Sequence, residues 1–196
     1  SGADDETVRV WELASGTETA VYHGHGNRVL TVAWSPVGEQ LASGSHDETV
    51  HLWDTACEAK MPVGCGHVDK VNSLVWSPDG RQLACGSSDN TVRILDTAMW
   101  LTTVVLKGHE RWVAGVVWSP SGLQLASWSG DNTIRVWDVR GNELTAVLRG
   151  HEKWVNCVAW SPDGMWLASA ADDETVRVWD AKTGLQMAVH RGHERE

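Results

Sequence analysis

The chain of 196 residues contains no phenylalanine and only one tyrosine, although thirteen of its residues are tryptophan. A core built from unrelated segments would mix all three aromatic side chains, so this skew indicates one tryptophan-bearing pattern copied several times. The remaining composition, with 42% hydrophobic and 21% charged residues, is typical of a folded globular protein. A disordered chain is therefore excluded.

Positive charge is also scarce. Lysine and arginine total 16 against 26 acidic residues, which gives a net charge of −10, and no basic run occurs. Because this field would repel a phosphate backbone, we predict no nucleic-acid partner. No apolar stretch approaches the roughly 20 residues that span a bilayer, and no signal peptide leads the chain. We therefore predict no membrane partner and a cytoplasmic location.

Cysteine is rare and lacks the spacings that carry chemistry. The four cysteines, Cys57, Cys65, Cys85 and Cys157, include no C-x-x-C pair, which favours unpaired thiols in a reducing compartment. Cys57, Cys65 and His67 could converge, but their C-x7-C-x-H spacing matches no standard zinc pattern. With no glycine-rich phosphate loop either, the sequence predicts no metal and no cofactor.

What the chain does contain is a strict repeat of 42 residues. The phrase ADDETVRVW occurs at 3–11 and again at 171–179, an interval of 168 residues or four periods. Gly-His pairs recur at the same period, at 24–25, 66–67, 108–109, 150–151 and 192–193. A fixed period of this length indicates a repeat architecture in which each unit is one supersecondary element.

Each repeat predicts four short β-strands. In the last complete repeat these are VNCVAW (155–160), WLASA (166–170), TVRVWD (175–180) and LQMAVH (185–190). They are rich in Val, Leu, Thr and Trp and are separated by turn residues such as the SPDG that follows the first of them. We name the four strands of a repeat a, b, c and d.

Four strands per 42 residues, with a Gly-His pair near one end and a Trp-acid pair near the other, resemble the WD-repeat β-propeller family. The resemblance covers the whole chain and implies an all-β fold. Four-stranded blades would be arranged around a central channel, with strand a innermost and strand d outermost. It implies one propeller domain with these parts: a half blade of strands c and d at 1–23, complete repeats at 24–65, 66–107, 108–149 and 150–191, and the start of a further repeat at 192–196.

The same resemblance implies a buried hydrogen-bonded tetrad in each blade. The Gly-His imidazole would bridge the turn aspartate and a strand-b serine, and the serine would reach the strand-c tryptophan. Two strand-b serine columns qualify, and the sequence leaves the choice between them open. The predicted members are His25, Asp47 and Trp53; His67 and Asp89; His109, Asp131 and Trp137; and His151, Asp173 and Trp179.

The repeat at 66–107 departs from this pattern. Leu95 replaces the tryptophan of strand c, and Cys85 replaces the serine in one of the two columns. Leucine offers no indole N–H, so we predict an incomplete network, and we predict that the blade containing residues 73–107 is the least stable.

A Ser-His-Asp triad is the catalytic alternative, with His151, Ser169 and Asp173 as one example. An enzyme needs one triad beside an oxyanion hole, whereas this set recurs periodically along the chain. We therefore predict a structural role for these residues and no enzyme.

Three tryptophans outside the repeat columns are candidates for a partner face. Trp112 and Trp154 lie in GHERWV and GHEKWV on the loop from strand d to strand a, and Trp128 ends a strand b near the same rim. Aromatic residues flanked by Arg and Glu are typical of interaction hot spots, although packing between blades would also explain them. A protein-interaction scaffold is the favoured function, and a glycan or small-ligand binding module is the alternative.

Four complete blades fall short of the about six to eight that close such a ring, so the sequence predicts an open arc. Each end of an arc exposes a sheet face whose apolar side chains lack cover. Since matching heterologous ends can close a ring, we predict that two copies join head to tail into eight blades. The alternative is that the chain is a segment of a longer propeller whose other blades cover these faces.

Overall fold

The described part of the chain is built from β-strands alone. The computed structural model describes residues 1–55 and 60–192, in which eighteen strands form five antiparallel sheets that follow one another in chain order. The predicted all-β class and the arc of four complete blades with an N-terminal half blade are therefore confirmed. Cys57 and His193 lie outside the described residues.

The N-terminal sheet has two strands, and each of the others has four, hydrogen-bonded in sequence order. The half blade contains β1 (Thr7–Trp11) and β2 (Glu18–His23). Blade 1 contains β3 (Val29–Trp34), β4 (Gln40–Ser45), β5 (Val50–Asp54) and β6 (Lys60–Val63). Blade 2 contains β7 (Val71–Trp76), β8 (Gln82–Ser87), β9 (Val92–Asp96) and β10 (Leu101–Leu106). Blade 3 contains β11 (Val113–Trp118), β12 (Gln124–Ser129), β13 (Ile134–Asp138) and β14 (Glu143–Leu148). Blade 4 contains β15 (Val155–Trp160), β16 (Trp166–Ala171), β17 (Thr175–Asp180) and β18 (Gln186–Arg191).

The hairpin between the first two strands of each blade is set by its Ser-Pro-x-Gly sequence. In blade 2 the Gly80 N–H donates to the Ser77 carbonyl at 2.9 Å, and Gly80 has a φ of 71°. Proline fixes the backbone at the second position of the turn, and glycine adopts the left-handed conformation without a steric penalty. The turn therefore joins two strands in a single register.

Apolar residues lie between successive sheets, so each sheet has two covered faces where it has two neighbours. We call the face toward the next sheet along the chain the forward face, and the opposite one the back face. Between blades 2 and 3, Val92 and Ile94 on the forward face of blade 2 pack with Val113, Val116 and Trp118 on the back face of blade 3. Equivalent clusters join the half blade to blade 1, blade 1 to blade 2, and blade 3 to blade 4.

The strand-a tryptophans also hydrogen-bond from one blade to the next. In blades 2, 3 and 4 the indole N–H donates to a backbone carbonyl of strand a in the preceding blade, which adds a directional bond to apolar packing. The pairs are Trp76 with Ala33 at 3.1 Å, Trp118 with Val75 at 3.2 Å and Trp160 with Val117 at 3.3 Å.

In the residues that the structure describes, no helix has the length and apolar character that a bilayer crossing requires.

Candidate functional site

The candidate polar residues of blade 3 form one continuous chain of hydrogen bonds. His109 Nδ1 lies 2.9 Å from Asp131 Oδ2, and His109 Nε2 lies 2.8 Å from Ser127 Oγ. The Trp137 indole N–H donates to the same serine oxygen at 2.9 Å. If Nδ1–H donates to the carboxylate, Nε2 accepts the serine proton, and every polar side-chain atom of this hydrogen-bond network has a partner.

Blades 1 and 4 contain the same arrangement, with strand-b serines of the same column. In blade 1 the distances are 2.9 Å for His25–Asp47, 2.7 Å for His25–Ser43 and 2.8 Å for Trp53–Ser43. In blade 4 they are 2.8 Å for His151–Asp173, 2.7 Å for His151–Ser169 and 2.8 Å for Trp179–Ser169. The second serine column has another role, because Ser45 and Ser129 donate to backbone carbonyls of the d–a loop.

A threonine completes the aspartate site, and the sequence analysis missed it. Thr133 donates its hydroxyl to Asp131 Oδ1 at 2.6 Å and its N–H to the same oxygen at 2.9 Å. Burial alone would raise the pKa of Asp131, but hydrogen bonds from His109, Thr133 and the Glu110 N–H outweigh it and hold that pKa well below its usual range. The carboxylate is thus kept ionised and fixed in orientation.

A sequence signal for this threonine exists. A threonine stands two residues after the turn aspartate in every repeat, at positions 7, 49, 91, 133 and 175. Aspartate followed at this distance by a hydroxyl residue is a common local turn, because the side chain can accept from the backbone two residues on.

Blade 2 has an incomplete network. His67 Nδ1 lies 2.8 Å from Asp89 Oδ2, but its Nε2 is buried and has no hydrogen-bond partner. The Cys85 thiol instead points to the Arg93 carbonyl at 3.5 Å, and Leu95 is fully buried where the other complete blades have tryptophan. Burial disfavours the charged form of the imidazole and so lowers the pKa of His67.

The orphaned imidazole nitrogen makes Cys85→Ser a stabilising substitution. A serine oxygen lies 2.7–2.8 Å from this nitrogen in the three complete tetrads, and in blade 2 it would satisfy His67 Nε2. We expect a gain of about 1 kcal/mol in the free energy of unfolding, measured by denaturant titration. Cys85→Ala is the control, since it supplies no hydroxyl, and an equal gain in both variants would contradict the explanation.

The half blade contains part of a fifth set. The Trp11 indole N–H donates to Ser1 Oγ at 3.2 Å, and the Thr7 hydroxyl donates to Asp5 Oδ1 at 2.6 Å. The repeat position of the histidine would precede Ser1. The same local sequence therefore builds the same local contacts even where the blade has only two strands.

The buried tetrads are poor candidates for nucleophilic catalysis. In blade 3 the Ser127 residue is fully buried, and its oxygen is engaged by both His109 and Trp137. A catalytic serine must reach a substrate carbonyl while its base is free to accept the proton. The geometry instead holds strand b, strand c and the d–a loop of one blade together.

Within residues 1–55 and 60–192, no group of three His, Cys, Asp or Glu side chains is arranged to hold a metal ion. Cys65, Cys85 and Cys157 are free thiols, and Cys157 alone of these three is exposed.

The structure brings together two of the three candidate face tryptophans. The Trp112 and Trp154 rings meet edge to face, with their centroids 5.4 Å apart and their planes at 85°. Trp112 is half-buried against Gly130, where a Cβ would approach the indole nitrogen to 2.5 Å, so glycine permits this contact. Trp154 is 49% exposed and presents its ring to solvent.

The third candidate, Trp128, lies in a different environment. It pairs with Gly115 across β11 and β12, and its indole covers the position that a Cβ on Gly115 would occupy. It packs against the cluster between blades 3 and 4, which includes Val155 and Val158. Trp128 therefore packs between blades, which is the alternative to a place on the partner face.

Trp154 lines an open groove of about 580 Å³ between the d–a loops of blades 3 and 4. The exposed charged side chains that line the same groove are Glu110, Arg111, Glu152, Lys153 and Asp172, three acidic and two basic. We call this surface the tryptophan groove. It offers an aromatic ring and an arginine, two residue types that are enriched in protein interfaces, together with other charged side chains of both signs.

Successive four-stranded sheets, three of which contain a buried His-Ser-Asp-Trp hydrogen-bond network, define a repeat protein of the β-propeller class. A family model described as "WD domain, G-beta repeat" matches the chain four times, at residues 16–54, 60–96, 100–138 and 142–180. These matches cover more than half of the chain, which therefore belongs to the WD40 repeat family.

Stretches of about one repeat are similar to parts of larger proteins. Coronin-7 of Rattus norvegicus is 44% identical over 43 residues, which cover 22% of this chain and 5% of that protein. Transcription initiation factor TFIID subunit 5 of Caenorhabditis elegans is 40% identical over 42 residues, with coverages of 21% and 6%. Ribosome assembly protein 4 of Saccharomyces cerevisiae is 44% identical over 43 residues, with coverages of 22% and 8%. The matches thus span less than a tenth of each of these relatives.

Proposed function

We propose that the chain is a non-catalytic protein-interaction scaffold of the WD-repeat type that binds a protein partner at the tryptophan groove. The observation that carries this proposal is the edge-to-face pair of Trp112 and half-exposed Trp154. Trp112 fixes the orientation of Trp154, so the exposed ring loses little conformational entropy when a partner covers it. Rigid, partly exposed aromatic anchors of this kind dominate the energetics of protein interfaces.

The charges around Trp154 support a polypeptide partner. Glu110 and Glu152 offer acceptors, while Arg111 and Lys153 offer donors, all within one groove. A peptide presents both kinds of group along its backbone, and the net charge of −10 disfavours a nucleic acid. The buried serines favour a scaffold over an enzyme, because their hydroxyl groups are already engaged inside each blade.

A displayed peptide library screened against the full chain tests this assignment. We expect Trp154→Ala to weaken the selected peptides at least 10-fold, since truncation of a hot-spot residue costs about 2 kcal/mol. Trp11→Ala is the matched control, because Trp11 is 45% exposed and lies on the half blade, away from the groove. Equal losses in both variants, or none in Trp154→Ala, would contradict the proposal.

A glycan array run on the same proteins tests the alternative of a glycan or small-ligand module. Sugar binding that depends on Trp154, without peptide binding, would assign the groove to that function instead. The exposed indole face supports this alternative, since it can stack on a sugar ring as well as on a peptide.

We further propose that the segments at 1–23, 24–65, 66–107, 108–149, 150–191 and 192–196 form one propeller domain, and that two copies close a ring of eight complete blades. Apolar residues on the forward face of blade 4 support this assembly. In a longer protein, further blades would cover the same faces.

Free thiols at Cys65, Cys85 and Cys157 support a cytoplasmic location, where thiols stay reduced.

A further inference from the structure

The forward face of blade 4 is the first part of a binding surface. In blade 3 the forward-facing residues Ala126, Ile134 and Val136 are completely buried by blade 4. Their counterparts one repeat later are Ala168, which is exposed, and Val176 and Val178, which are half-buried. Side chains that have a neighbouring sheet in every earlier blade therefore face solvent here.

The back face of blade 1 is the second part. Trp34 is 48% exposed, whereas its counterparts Trp76 and Trp118 are buried and bonded to the preceding blade. An apolar cleft of about 260 Å³ lies beside it, lined by Val32, Trp34 and Leu41 of blade 1 and by residues of β1. Only the two-stranded half blade covers this face, so the cleft lies where inner strands of a complete blade would pack.

The repeated nine-residue phrase relates these two surfaces. Residues 3–11 and 171–179 are identical, so Val8 and Val10 of β1 correspond to Val176 and Val178 of β17. In the structure Val8 and Val10 belong to a cluster with Val29, Leu41 and Trp53 of blade 1. The half blade thus shows how the forward-facing valines of this repeated sequence pack on the back face of blade 1.

We propose that the back face of blade 1 binds the forward face of blade 4 from a second copy, and that the half blade is its intramolecular competitor. This inference rests on the head-to-tail assembly proposed above. Val176 and Val178 of the second copy would take the positions of Val8 and Val10. The inner strands of its blade 4 would fill the cleft, and its Ala159 carbonyl would accept the Trp34 N–H.

The second copy fits this site because it has what the half blade lacks. Blade 4 contains β15 and β16 in addition to the shared phrase, so it would cover the half-exposed ring of Trp34 as well as Leu41 and Trp53, which the half blade already buries. The half blade has the advantage of its tether, and of Tyr22, whose ring lies 5.1 Å from that of Trp53. A short tether raises the effective concentration of a competing segment to about the millimolar range, so the half blade holds the site at low protein concentration.

The identical phrase supplies a matched pair of variants. Val8→Asp places a charge in a fully buried position of the half blade and should release it from blade 1. Val176→Asp makes the same change in the same sequence on the uncovered face of blade 4, where the single chain buries it only in part. The two substitutions should therefore have opposite effects on assembly.

Sedimentation equilibrium of the full chain measures these effects as the dimer dissociation constant, with a dimer at twice the 21.5 kDa of one chain. We expect Val8→Asp to tighten dimerisation at least 10-fold and Val176→Asp to abolish it. The double variant should also be monomeric, which excludes nonspecific association through the loosened half blade. Tyr22→Ala loosens the half blade more mildly and should also tighten dimerisation, so the test does not depend on one buried charge.

The outcomes separate the two proposals. If wild type dimerises, Val176→Asp prevents it, and both Val8→Asp and Tyr22→Ala leave the dissociation constant unchanged, the assembly stands and the competitor role is overturned. If wild type, Val8→Asp and Tyr22→Ala all stay monomeric, or dimerisation is insensitive to Val176→Asp, the assembly and this inference both fail.

Discussion

His109→Ala is expected to lower the free energy of unfolding by about 3 kcal/mol or more, because it removes one member of a buried polar chain. The side chain of His109 is fully buried and lies 2.9 Å from the Asp131 carboxylate and 2.8 Å from the Ser127 hydroxyl. Without the imidazole, the Asp131 carboxylate and the Ser127 hydroxyl each lose one buried hydrogen bond, and the space of the ring is left empty. Denaturant titration of the full chain, followed by tryptophan fluorescence, measures the loss.

The same substitution at His67 is the matched control. His67 is equally buried and bonded to Asp89 at 2.8 Å, but its Nε2 has no partner to lose. We therefore expect His67→Ala to cost about 1 kcal/mol less than His109→Ala, the net value of one hydrogen bond. Equal costs would show that the serine and tryptophan contribute nothing to the histidine site.

Trp137→Leu is expected to destabilise the chain by about 3 kcal/mol. The substitution reproduces in blade 3 the leucine that blade 2 has at position 95. It removes a buried indole from the cluster between blades 2 and 3, and it also removes the hydrogen bond to Ser127 at 2.9 Å. Large-to-small changes at buried aromatic positions cost about 3–5 kcal/mol when the site cannot collapse, and leucine retains part of the volume. Thermal and denaturant unfolding should agree on the direction.

Trp34→Leu is the corresponding control on a tryptophan of the same chain. Trp34 is half-exposed and has no preceding strand-a carbonyl opposite its indole in the described residues. We expect a loss of about 1 kcal/mol or less at protein concentrations where the chain is monomeric. A loss as large as that of Trp137→Leu would mean that burial and the hydrogen bond to Ser127 do not explain the stabilising effect of Trp137.

The sequence was sufficient to predict the fold because the signal is repeated. Each Gly-His pair, Ser-Pro-x-Gly turn and strand pattern is ambiguous alone, but a constant period of 42 residues places all of them in one register. The incomplete network of blade 2 was also predictable, since Cys85 and Leu95 break columns that the other complete repeats keep. Local propensity, turn chemistry and the hydrophobic pattern all agree in this chain, which is the condition for a reliable prediction.

Contacts that depend on side-chain direction were not predictable in the same way. Ser43 and Ser45 stand two residues apart in strand b, so the alternation of the strand points both to the same face of the sheet. Their positions relative to the d–a loop decide that the first meets the imidazole and the second a backbone carbonyl. Trp112 and Trp128 both break a column of the repeat. Trp112 packs on Gly130 beside Trp154, and Trp128 packs over Gly115. These placements depend on which neighbouring residue lacks a side chain.

The central claim is that the repeated His, Ser, Asp and Trp residues act as one structural unit within each of blades 1, 3 and 4. A double-mutant cycle of His109→Ala and Trp137→Leu tests it most directly, because these side chains are connected through Ser127. If the unit is real, the double variant loses less stability than the sum of the single variants, with a coupling energy of about 1 kcal/mol or more. Losses that add within about 0.5 kcal/mol would show two independent residues and contradict the account.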